Sequence, residues 1–573
     1  MEFAHFAERA AKIEGHSADS DIIEAVEALL SESGEELPVV ARYVQGRVFP
    51  AHDSTKLDIG PRLCYEAIAK AAGQNVSADD VEGRVAEVGD VGAVAADYDF
   101  GGQRGLAAFG AGDGGSDENG LTVAEVDAEL RELAAAEGSG STGTKRDLLF
   151  GLFNRAGAEE ARYLARLVLA EMRIGVGEGT VRDAVAAAFD VPVGAVERAL
   201  QVTNDYGEVA VVAREKGEDG LDALGLEVGR PVGAMLAQAG TVTDALDDWG
   251  EAAVEWKFDG ARVQLHYDPE GVGGDETEGD DAYDAPRTRL FSRNMEEVTD
   301  PLPEVVEFVE ESLDAPAILD GEVIAVDDEG APLPFQEVLK RFRRKHDVAK
   351  AREDVTVEFR AFDCLHADGE DLLDEPLVDR HDRLESALGD ADADALSTLE
   401  FSADPDEIAD VEADALEAGH EGIMLKDPES AYTPGKRGRN WLKRKPDVET
   451  LDLVVTGAEW GEGRRAELLG TFLLAAGTDD GFETLGKVAT GITDEELEAL
   501  TERLEPHVRS EDGADVDIEP AVVFEVGYEE IQESPTYSSG YALRFPRFIG
   551  VREDKDPDGA DSLARVERLA GQQ

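Results

Sequence analysis

The spacing of apolar residues changes near residue 230, and this change restricts the chain to an architecture of several domains. Before it, segments such as RDLLFGLFNRAGAEEARYLARLVLAEM (146–172) repeat apolar residues every three or four positions, which is the period of an α-helix. After it, segments such as AVEWKFDGARVQLHY (253–267) alternate apolar and polar residues, as strands do. With 573 residues the chain is too long for one core, so about two to four domains are expected.

These patterns predict three domains. Residues 1–225 predict an all-α domain, and residues 226–447 predict an α+β domain in which strands such as AILDGEVIAVD (317–327) alternate with helices. Residues 448–573 predict strands interrupted by one helix, DEELEALTERLEPH (494–507). About five strands and a helix in a segment of this size suit a small β-barrel such as the OB-fold.

Acidic residues far outnumber basic ones, 128 against 54, for a formal net charge of −74. Because the acids are spread between apolar residues that can form cores, this composition predicts a soluble protein from a high-salt cytoplasm rather than an acidic tail. In about 1 M salt the Debye length is about 3 Å, so self-repulsion is screened. Local basic clusters, and not the net charge, are therefore the guide to a polyanionic partner.

The sequence contains no feature of a secreted or membrane-spanning chain. No apolar run approaches the roughly 20 residues of a membrane span, and the N-terminus lacks the pattern of a secretion signal. Two cysteines, Cys64 and Cys364, are too few for a disulfide framework or a four-cysteine zinc site. A reducing cytoplasm is the expected location.

Lys257 is the first candidate for chemistry. Strand alternation places Glu255, Lys257 and Asp259 on one face, while Trp256 and Phe258 point into the core. An amine with an ordinary pKa of about 10.4 is protonated at neutral pH. Nearby cations or a metal ion would lower that pKa and expose a nucleophilic lone pair. The alternative is an ordinary surface lysine.

Carboxylates and basic residues further along the chain strengthen this interpretation. Glu322 lies between small and apolar residues on a predicted strand, and Glu421 opens the apolar block EGIMLK. Two carboxylates together with phosphate oxygens are a typical Mg²⁺ environment. Lys443 and Lys445 belong to a basic cluster that would bind a polyanion or would form a basic patch without a catalytic role. Phe362 would stack on a base or would belong to the core.

Taken together, the motifs of this chain resemble those of covalent nucleotidyltransferases, the superfamily of DNA ligases, RNA ligases and mRNA capping enzymes. The motifs occur in the family's order: KFDGAR (257–262), FSRN (291–294), DGEV (320–323), FRAFDCL (359–365), EGIMLK (421–426) and WLKRK (441–445). LRFPRFIGVREDK (543–555) and the helical segment ARYLARLVLAEMRIGVGEGTVRDAV (161–185) are similar to ATP-dependent DNA ligases of the archaeal and eukaryotic replicative type.

This resemblance implies an enzyme that seals nicks in duplex DNA during replication, repair and recombination, with ATP and Mg²⁺ as cofactors. Lys257 would attack the α-phosphate of ATP and form a lysyl–AMP phosphoramide, releasing pyrophosphate. The AMP would then move to the 5′-phosphate of the nick, and the 3′-hydroxyl would displace it. Each step is an in-line displacement at phosphorus, so positioning and well-placed cations supply most of the acceleration.

The resemblance also implies a role for each remaining candidate. Glu255 would read the adenine edge, Phe362 would stack on the ring, and Glu322 and Glu421 would bind Mg²⁺. The basic residues would bind as follows: Arg262 and Arg293 the ribose or the 5′-phosphate of the nick, Arg437, Lys443 and Lys445 the nucleotide phosphates, and Arg547, Arg552 and Lys555 the β- and γ-phosphates. The family often carries a basic residue in the stretch where this chain has Gly233 and Ala234, which removes a phosphate contact but not the chemistry.

Local charge and one short segment indicate partners. The basic stretches KRFRRKH (340–346) and MRIGVGEGTVR (172–182) suit contacts with the DNA backbone. Gln103, Leu106 and Phe109 have the three-residue spacing of peptides that dock on the sliding clamp, although the usual second aromatic is absent. The alternative is that Leu106 and Phe109 pack within the helical domain. The resemblance implies encirclement of the nick by three domains, and a monomer is expected.

Three other functions are compatible with parts of the sequence, and each meets an objection. An RNA ligase or a capping enzyme shares the central motifs, but the helical N-terminal region and the FPRFIGVREDK ending argue against both. An NAD-dependent DNA ligase needs a four-cysteine zinc site that two cysteines cannot supply. A non-catalytic DNA-binding scaffold would have lost the charged motif residues that this chain retains, and it would take up no label from ATP labelled at the α-phosphate.

Overall fold

The structure of the chain is a computed structural model, and it divides into two compact units, residues 1–444 and 445–573. The residues that it describes are 1–100, 120–138, 140–272, 285–327, 329–342, 348–389, 395–444, 450–461, 468–478, 481–489, 492–528, 530–544, 546–552 and 555–570. Within these residues, no helix has the length and apolar character needed to cross a membrane.

The first half of the first unit is helical. Its helices are α1 (Phe3–Glu14), α2 (Asp19–Glu32), α3 (Leu37–Tyr43), α4 (Pro61–Ala72), α5 (Ala78–Val88), α6 (Val91–Ala96), α7 (Val123–Ala135), α8 (Ser141–Arg155), α9 (Ala158–Val168), α10 (Glu178–Phe189), α11 (Val193–Thr203) and α12 (Tyr206–Asp222). Side-chain caps begin several of them: Ser77 accepts from the amide of Asp80 at α5, and Thr122 accepts from that of Glu125 at α7. The prediction of an N-terminal helical region is confirmed.

One core holds these helices together, and a buried arginine ties three of its segments. The rings of Phe3 and Phe6 on α1 stack with centroids 5.6 Å apart, and Phe6 meets Tyr43 of α3 edge-on. Arg166 of α9 is almost completely buried and contacts Glu14 of α1 at 2.8 Å and Asp90 before α6 at 2.5 Å. A buried cation is retained only when it is paired, so this arginine fixes the three segments to one another.

The second half of the first unit alternates strands and helices. Its elements are β1 (Leu236–Ala239), α13 (Val242–Trp249), β2 (Ala252–Trp256), β3 (Ala261–Tyr267), β4 (Thr288–Ser292), α14 (Pro303–Ser312), β5 (Ala317–Val326), β6 (Pro332–Leu333), α15 (Phe335–Phe342), α16 (Val348–Asp354), β7 (Thr356–Ala367), β8 (Glu370–Asp371), α17 (Leu377–Leu388), β9 (Glu400–Ser402), α18 (Pro405–Glu417), β10 (Ile423–Lys426) and β11 (Arg437–Arg444).

These strands form two sheets that face each other. One sheet has the order β1-β11-β10-β2-β9, and the other has the order β4-β3-β5-β7-β8 with β6 on the edge of β5. Val254 and Leu425 in the first sheet pack against α13 and α18, and Leu319 in the second packs among residues of α14 and α17. The inner faces meet through an apolar cluster that includes Phe362 and Trp441. Because each strand alternates its side chains, the polar residues on the inner faces are brought together between the sheets.

The second unit is rich in strands. Its elements are β12 (Thr450–Trp460), β13 (Leu469–Thr478), β14 (Gly481–Val488), α19 (Asp494–Leu504), β15 (Val508–Asp512), β16 (Asp515–Ile518), β17 (Val523–Gly527), β18 (Glu530–Glu533), β19 (Tyr541–Arg544), β20 (Arg547–Val551) and α20 (Leu563–Ala570). The main sheet runs β14-β13-β12-β16-β15, and β17 joins β12 to β20. The rings of Phe472, Phe524 and Phe548 meet edge-on inside it, and the prediction of a strand-rich C-terminal unit is confirmed.

Candidate active site

Lys257 directly follows β2, and backbone pairing sets it beside Glu421. The Lys257 amide donates to the carbonyl of Gly422 at 2.9 Å, and the Glu421 amide donates to the carbonyl of Lys257 at 3.0 Å. The pairing of β2 with β10 therefore continues past both strands. As a result, the Lys257 ammonium forms an ion pair with the Glu421 carboxylate, and about a fifth of each side chain is exposed to solvent.

Gly260 allows the Lys257 segment to lie against β5. A Cβ at this position would come within 2.4 Å of the Val323 carbonyl oxygen and 2.7 Å of Glu322 Cγ. No residue with a side chain fits at these distances, because the nearest obstacle is backbone. Glycine therefore brings the segment that carries Lys257 close to the strand that carries Glu322.

The aromatic neighbours of Lys257 differ in their environments. Val254 and Trp256 pack with the helices on the outer face of the sheet, as alternation predicts. Phe258 is half-buried, as Trp256 is, and meets the ring of His420 edge-on at 5.1 Å, so the predicted burial of both rings in the core is only partly met. The strand has ended by this point, and strand alternation no longer sets the side-chain direction. Burial lowers the pKa of His420 to about 4, which keeps this ring neutral between Trp256 and Phe258.

Arg262 is held by Asp320, a residue that was not among the site residues predicted from the sequence. Its guanidinium donates to both carboxylate oxygens of Asp320, at 3.0 and 2.6 Å, and to the carbonyl of Met235 at 2.6 Å. Tyr432 also donates its hydroxyl to Asp320 at 2.7 Å. Two parallel hydrogen bonds to one carboxylate fix both the position and the plane of the guanidinium. The sequence pattern could have identified Asp320 as a site residue, because it lies two residues before Glu322 on β5 and therefore shares its face.

Glu322 lies on β5 directly across from Arg262 on β3 and from Arg360 on β7. Burial raises its pKa to about 8; the nearby charges of Lys257 and Arg262 oppose this shift, and those of Asp320 and Glu421 add to it. Carboxylates this close to one another disfavour each other's ionisation, and a bound cation would stabilise their charged forms.

Glu255 and Phe362 both contact Lys426, a residue to which the sequence alone gave no role. Lys426, on β10, is fully buried and lies 2.5 Å from a carboxylate oxygen of Glu255. Its ammonium is also 4.8 Å from the centroid of the Phe362 ring and 4.3 Å from that of Trp441. Arg262 lies 5.3 Å from the Phe362 ring. Glu255, Phe362 and Arg262 are thus brought together between the sheets, as are Lys257, Glu322 and Glu421.

The other basic candidates of the first unit lie on separate elements. Arg293 is exposed in the turn after β4. Arg437 begins β11 and donates to the carbonyl of Ala237 at 2.7 Å. Lys443 is half-buried on β11 and pairs with Met424, which in turn pairs with Glu255, so all three share a sheet face. Lys445 lies outside the described residues.

In the second unit, two of the three predicted cations converge on one carboxylate. Arg552 donates to both oxygens of Asp452 at 2.9 Å, and Lys555 pairs with the same side chain. Asp452 is almost fully buried. Arg547 is exposed on β20.

Basic residues of the two stretches predicted to contact DNA differ from one another in exposure. Arg173 is exposed, although it contacts the Gly89 carbonyl and Glu171. Arg341 is 1% exposed, pairs with Glu304 and donates to the carbonyls of Val355 and Pro301. Its predicted contact with DNA is therefore wrong, because α15 presents this residue to the core. Residues 343–347 lie outside the described part of the chain, as do Gln103, Leu106 and Phe109.

The carboxylates suit a metal ion only if other ligands complete its shell. Within the described residues, no group of three or more His, Cys, Asp and Glu side chains is arranged to hold a metal. Glu322 and Glu421 supply two hard oxygen ligands, and Mg²⁺ commonly takes one or two carboxylates together with substrate phosphates and water. The donor set and the raised pKa of Glu322 therefore fit Mg²⁺ bound together with a nucleotide.

Comparison with known proteins identifies the family. Three family models match: one described as "DNA ligase N terminus" over residues 2–186, one as "ATP dependent DNA ligase domain" over 234–445, and one as "ATP dependent DNA ligase C terminal region" over 465–555. A DNA ligase of Haloarcula marismortui is 71% identical over 573 residues, covering 100% of both chains. The chain belongs to the ATP-dependent DNA ligase family.

This ligase has further relatives at lower and similar identity. A DNA ligase of Natronomonas pharaonis is 70% identical and covers 99% of this chain and 100% of the relative. One of Archaeoglobus fulgidus is 45% identical and covers 99% of this chain and 98% of the relative. A solved structure titled "Pmar-Lig_Pre" has a TM-score of 0.55 at 17% identity and covers 96% of this ligase and 99% of that chain, a likeness that concerns the fold.

These matches confirm the resemblance drawn from the motifs. ATP dependence and the use of a divalent metal follow from the family, and the relatives at high identity are DNA ligases of halophilic archaea, which agrees with the inferred high-salt origin. An RNA-directed enzyme and a non-catalytic scaffold are not favoured.

Proposed function

We propose that this ligase seals nicks in duplex DNA and that Lys257 carries the AMP. The observation that supports this best is the position of the Lys257 amine, which is paired with Glu421 and lies close enough to Glu322 to influence its charge. In the first step the free amine attacks the α-phosphorus of ATP. The new N–P bond forms as the bond to the pyrophosphate oxygen breaks.

The later steps return the lysine to its starting form. An oxygen of the 5′-phosphate at the nick attacks the AMP phosphorus, and the Lys257 amine leaves. The 3′-hydroxyl then attacks the 5′-phosphate, a phosphodiester bond forms, and AMP departs. Because all three displacements occur at phosphorus, fixed cations near Lys257 stabilise the charge that develops in each.

The base and the ribose of ATP would be held between the sheets. Glu255 would accept a hydrogen bond from the amino group of adenine, and Phe362 would stack on its ring. Arg262 would bind the ribose or the 5′-phosphate of the nick. The bidentate contact of Arg262 with Asp320 supports this role, since an arginine that is already oriented loses less freedom when a ligand binds.

Glu322 and Glu421 would hold Mg²⁺. The ion would neutralise part of the phosphate charge and polarise the phosphorus–oxygen bonds. Support comes from the surroundings of Glu322: burial raises its pKa to about 8, and the nearby carboxylates of Asp320 and Glu421 add to this rise.

The remaining cations would bind phosphates. Arg293 would contact the ribose or the 5′-phosphate of the nick, and Arg437, Lys443 and Lys445 would contact the nucleotide phosphates. In the second unit, Arg547, Arg552 and Lys555 would orient the β- and γ-phosphates of ATP in the first step. Arg552 and Lys555 share Asp452, which supports a common role for them.

We also propose the domain limits and the fold of the last domain. Residues 1–225 would form the DNA-binding domain, residues 226–447 the adenylation domain, and residues 448–573 an OB-fold. The order of the strands in the second unit, where β17 links β12 to β20, supports a partly closed barrel.

The partners of the ligase would be nicked DNA and, through Gln103, Leu106 and Phe109, the sliding clamp. The enzyme would act as a monomer in the cytoplasm, and its two cysteines, both buried and unpaired, support a reducing compartment.

Clamp binding measured by calorimetry in high salt, for wild type and for Leu106→Ala/Phe109→Ala, tests the docking segment. If the double variant keeps full affinity, the segment is not the docking site.

The test of the proposed function uses Lys257→Ala with two substrates. This variant is expected to form no adduct from ATP labelled at the α-phosphate, because the nucleophilic amine is gone. It is expected to seal DNA that is already adenylated at a reduced rate, since that step does not start from the lysyl bond. Lys12→Ala, an exposed lysine on α1, is the control and should behave as wild type. Adduct formation by Lys257→Ala near the wild-type level would refute the proposal.

A further inference from the structure

Lys426 is a cation placed where burial is costly. Its side chain is 0% exposed, and it lies under the rings of Phe362 and Trp441. Removing an ammonium from water costs several kcal/mol unless a partner compensates. The Glu255 carboxylate at 2.5 Å supplies that partner. Favourable contacts with two aromatic faces add a smaller stabilisation.

Strand register makes the Lys426–Glu255 contact a fixed feature of the sheet. Lys426 pairs with Ala253 on β2 and with Trp441 on β11. Directly paired residues project to the same face, and Glu255, two residues after Ala253, shares it. The lysine therefore reaches Glu255 diagonally across two hydrogen-bonded strands, and neither side chain can move far without disturbing the sheet.

The groups around Glu255 indicate that Lys426 decides its charge. Burial raises the pKa of Glu255, and Lys426 is the largest opposing influence. Asp363 adds to the rise, but it is committed to Arg380 at 2.7 and 2.9 Å. The charge of His381 lowers the pKa of Glu255 slightly. The Ser397 hydroxyl donates a hydrogen bond to the Glu255 carboxylate at 3.3 Å.

We propose that Lys426 is a positioning residue that keeps Glu255 as an ionised hydrogen-bond acceptor at the base edge and thereby sets the preference for adenine over guanine. This inference rests on the proposed function, in which Glu255 meets the base. An ionised carboxylate only accepts hydrogen bonds. Adenine offers an amino donor at its 6-position, whereas guanine offers a carbonyl acceptor there. Two acceptors facing each other in a buried pocket repel, so guanine is rejected.

The experiment measures self-adenylation with ATP and with GTP, each labelled at the α-phosphate, and compares the two values of kcat/KM. Lys426→Met keeps the length of the side chain and removes its charge. The ATP-to-GTP ratio is expected to fall about tenfold or more, because a charge-assisted hydrogen bond is lost or reversed. In this variant the ratio should climb with rising pH as Glu255 ionises without its counterion, and in wild type it should stay flat.

Three further variants separate this role from a general loss of stability. Arg341→Met removes a buried cation outside the pocket and is expected to lower the melting temperature without changing the ratio. Lys426→Arg is expected to restore most of the ratio. In a Glu255→Gln background, Lys426→Met should change the ratio little, because the two residues act through one contact. Should Lys426→Met fail to fold, Lys426→Gln, which also removes the charge but can still donate a hydrogen bond to Glu255, takes its place and is expected to lower the ratio by a smaller factor.

Different variants test the role of Lys426 and the role of Lys257, so the two proposals can fail separately. A folded Lys426→Met, or a folded Lys426→Gln if the former is insoluble, with an unchanged ATP-to-GTP ratio overturns the inference while Lys257 remains the nucleophile. Full additivity of Lys426→Met and Glu255→Gln on the ratio would also overturn it. Adduct formation by Lys257→Ala would instead overturn the proposed function.

Discussion

At the scale of single residues, the two sheets and the neighbouring helix α17 contain buried charges, and each of these charges needs a partner. Arg262 has Asp320, Lys426 has Glu255 and Arg380 has Asp363. Breaking one such pair costs more than the pair contributes, since it leaves an uncompensated buried charge. We therefore expect that these residues tolerate paired replacement better than single replacement.

His266 gives a residue-level prediction about pH. Its ring is fully buried, Nδ1 accepts from the Gly229 amide at 2.9 Å, and Nε2 meets the Gln264 carbonyl oxygen at 3.0 Å. Burial lowers the pKa of His266 from 6.5 to about 3. Between these two values the unfolded chain binds one more proton than the folded chain, so stability falls as the pH falls.

The expected slope is up to about 1.4 kcal/mol per pH unit below pH 6.5. Melting temperatures of wild type and His266→Asn, measured from neutral to mildly acidic pH, provide the check. The variant is less stable at neutral pH, and the difference should shrink on acidification because asparagine does not titrate. His16→Gln, on a loop near the N-terminus, is the control. A constant difference at every pH would contradict the account.

At the scale of elements, strand alternation could be predicted from the sequence, whereas strand neighbours could not. Alternation around Lys257 correctly assigned Glu255 and Trp256 to opposite faces. The position of Lys426 beside Glu255 depends on β10 pairing with β2 across more than 150 residues, and local sequence does not encode that register. Arg341 shows the same limit, since a basic stretch gives no sign that α15 turns this residue inward.

Strand β20 gives an element-level prediction. Deleting residues 543–573 would remove β20 from its pairing with β17 and Val566 from the core, so a loss of activity would not separate chemistry from folding. Arg547→Ala is a more specific test than this deletion, because Arg547 is exposed and its replacement should not disturb the core. If Arg547 orients the leaving pyrophosphate, self-adenylation should fall by about tenfold or more, while sealing of pre-adenylated DNA should be nearly unchanged.

The control for Arg547→Ala is Arg509→Ala, another exposed arginine on a strand of the same unit. This variant should keep both activities. Equal losses in the two assays for Arg547→Ala, with an unchanged melting temperature, would count against a role in the first step.

At the scale of the whole molecule, the net charge of −74 ties stability to salt. With 128 acidic residues against 54 basic ones, most acids cannot be paired one to one, so the folded chain repels itself when the charges are not screened. Raising the salt concentration from about 0.1 M to 1 M shortens the Debye length from about 10 Å to about 3 Å. The melting temperature is therefore expected to rise steadily over this range, and a flat or falling curve in a salt titration would contradict this explanation of the composition.

The residue that carries the AMP can be identified directly. Wild-type ligase is incubated with ATP and Mg²⁺ in high salt, without DNA, and the adduct is located by peptide mapping and mass spectrometry under conditions that preserve a phosphoramide. The account predicts AMP on Lys257 alone, released when nicked DNA is added. AMP on another residue, or an adduct on Lys257 that nicked DNA does not discharge, would contradict it.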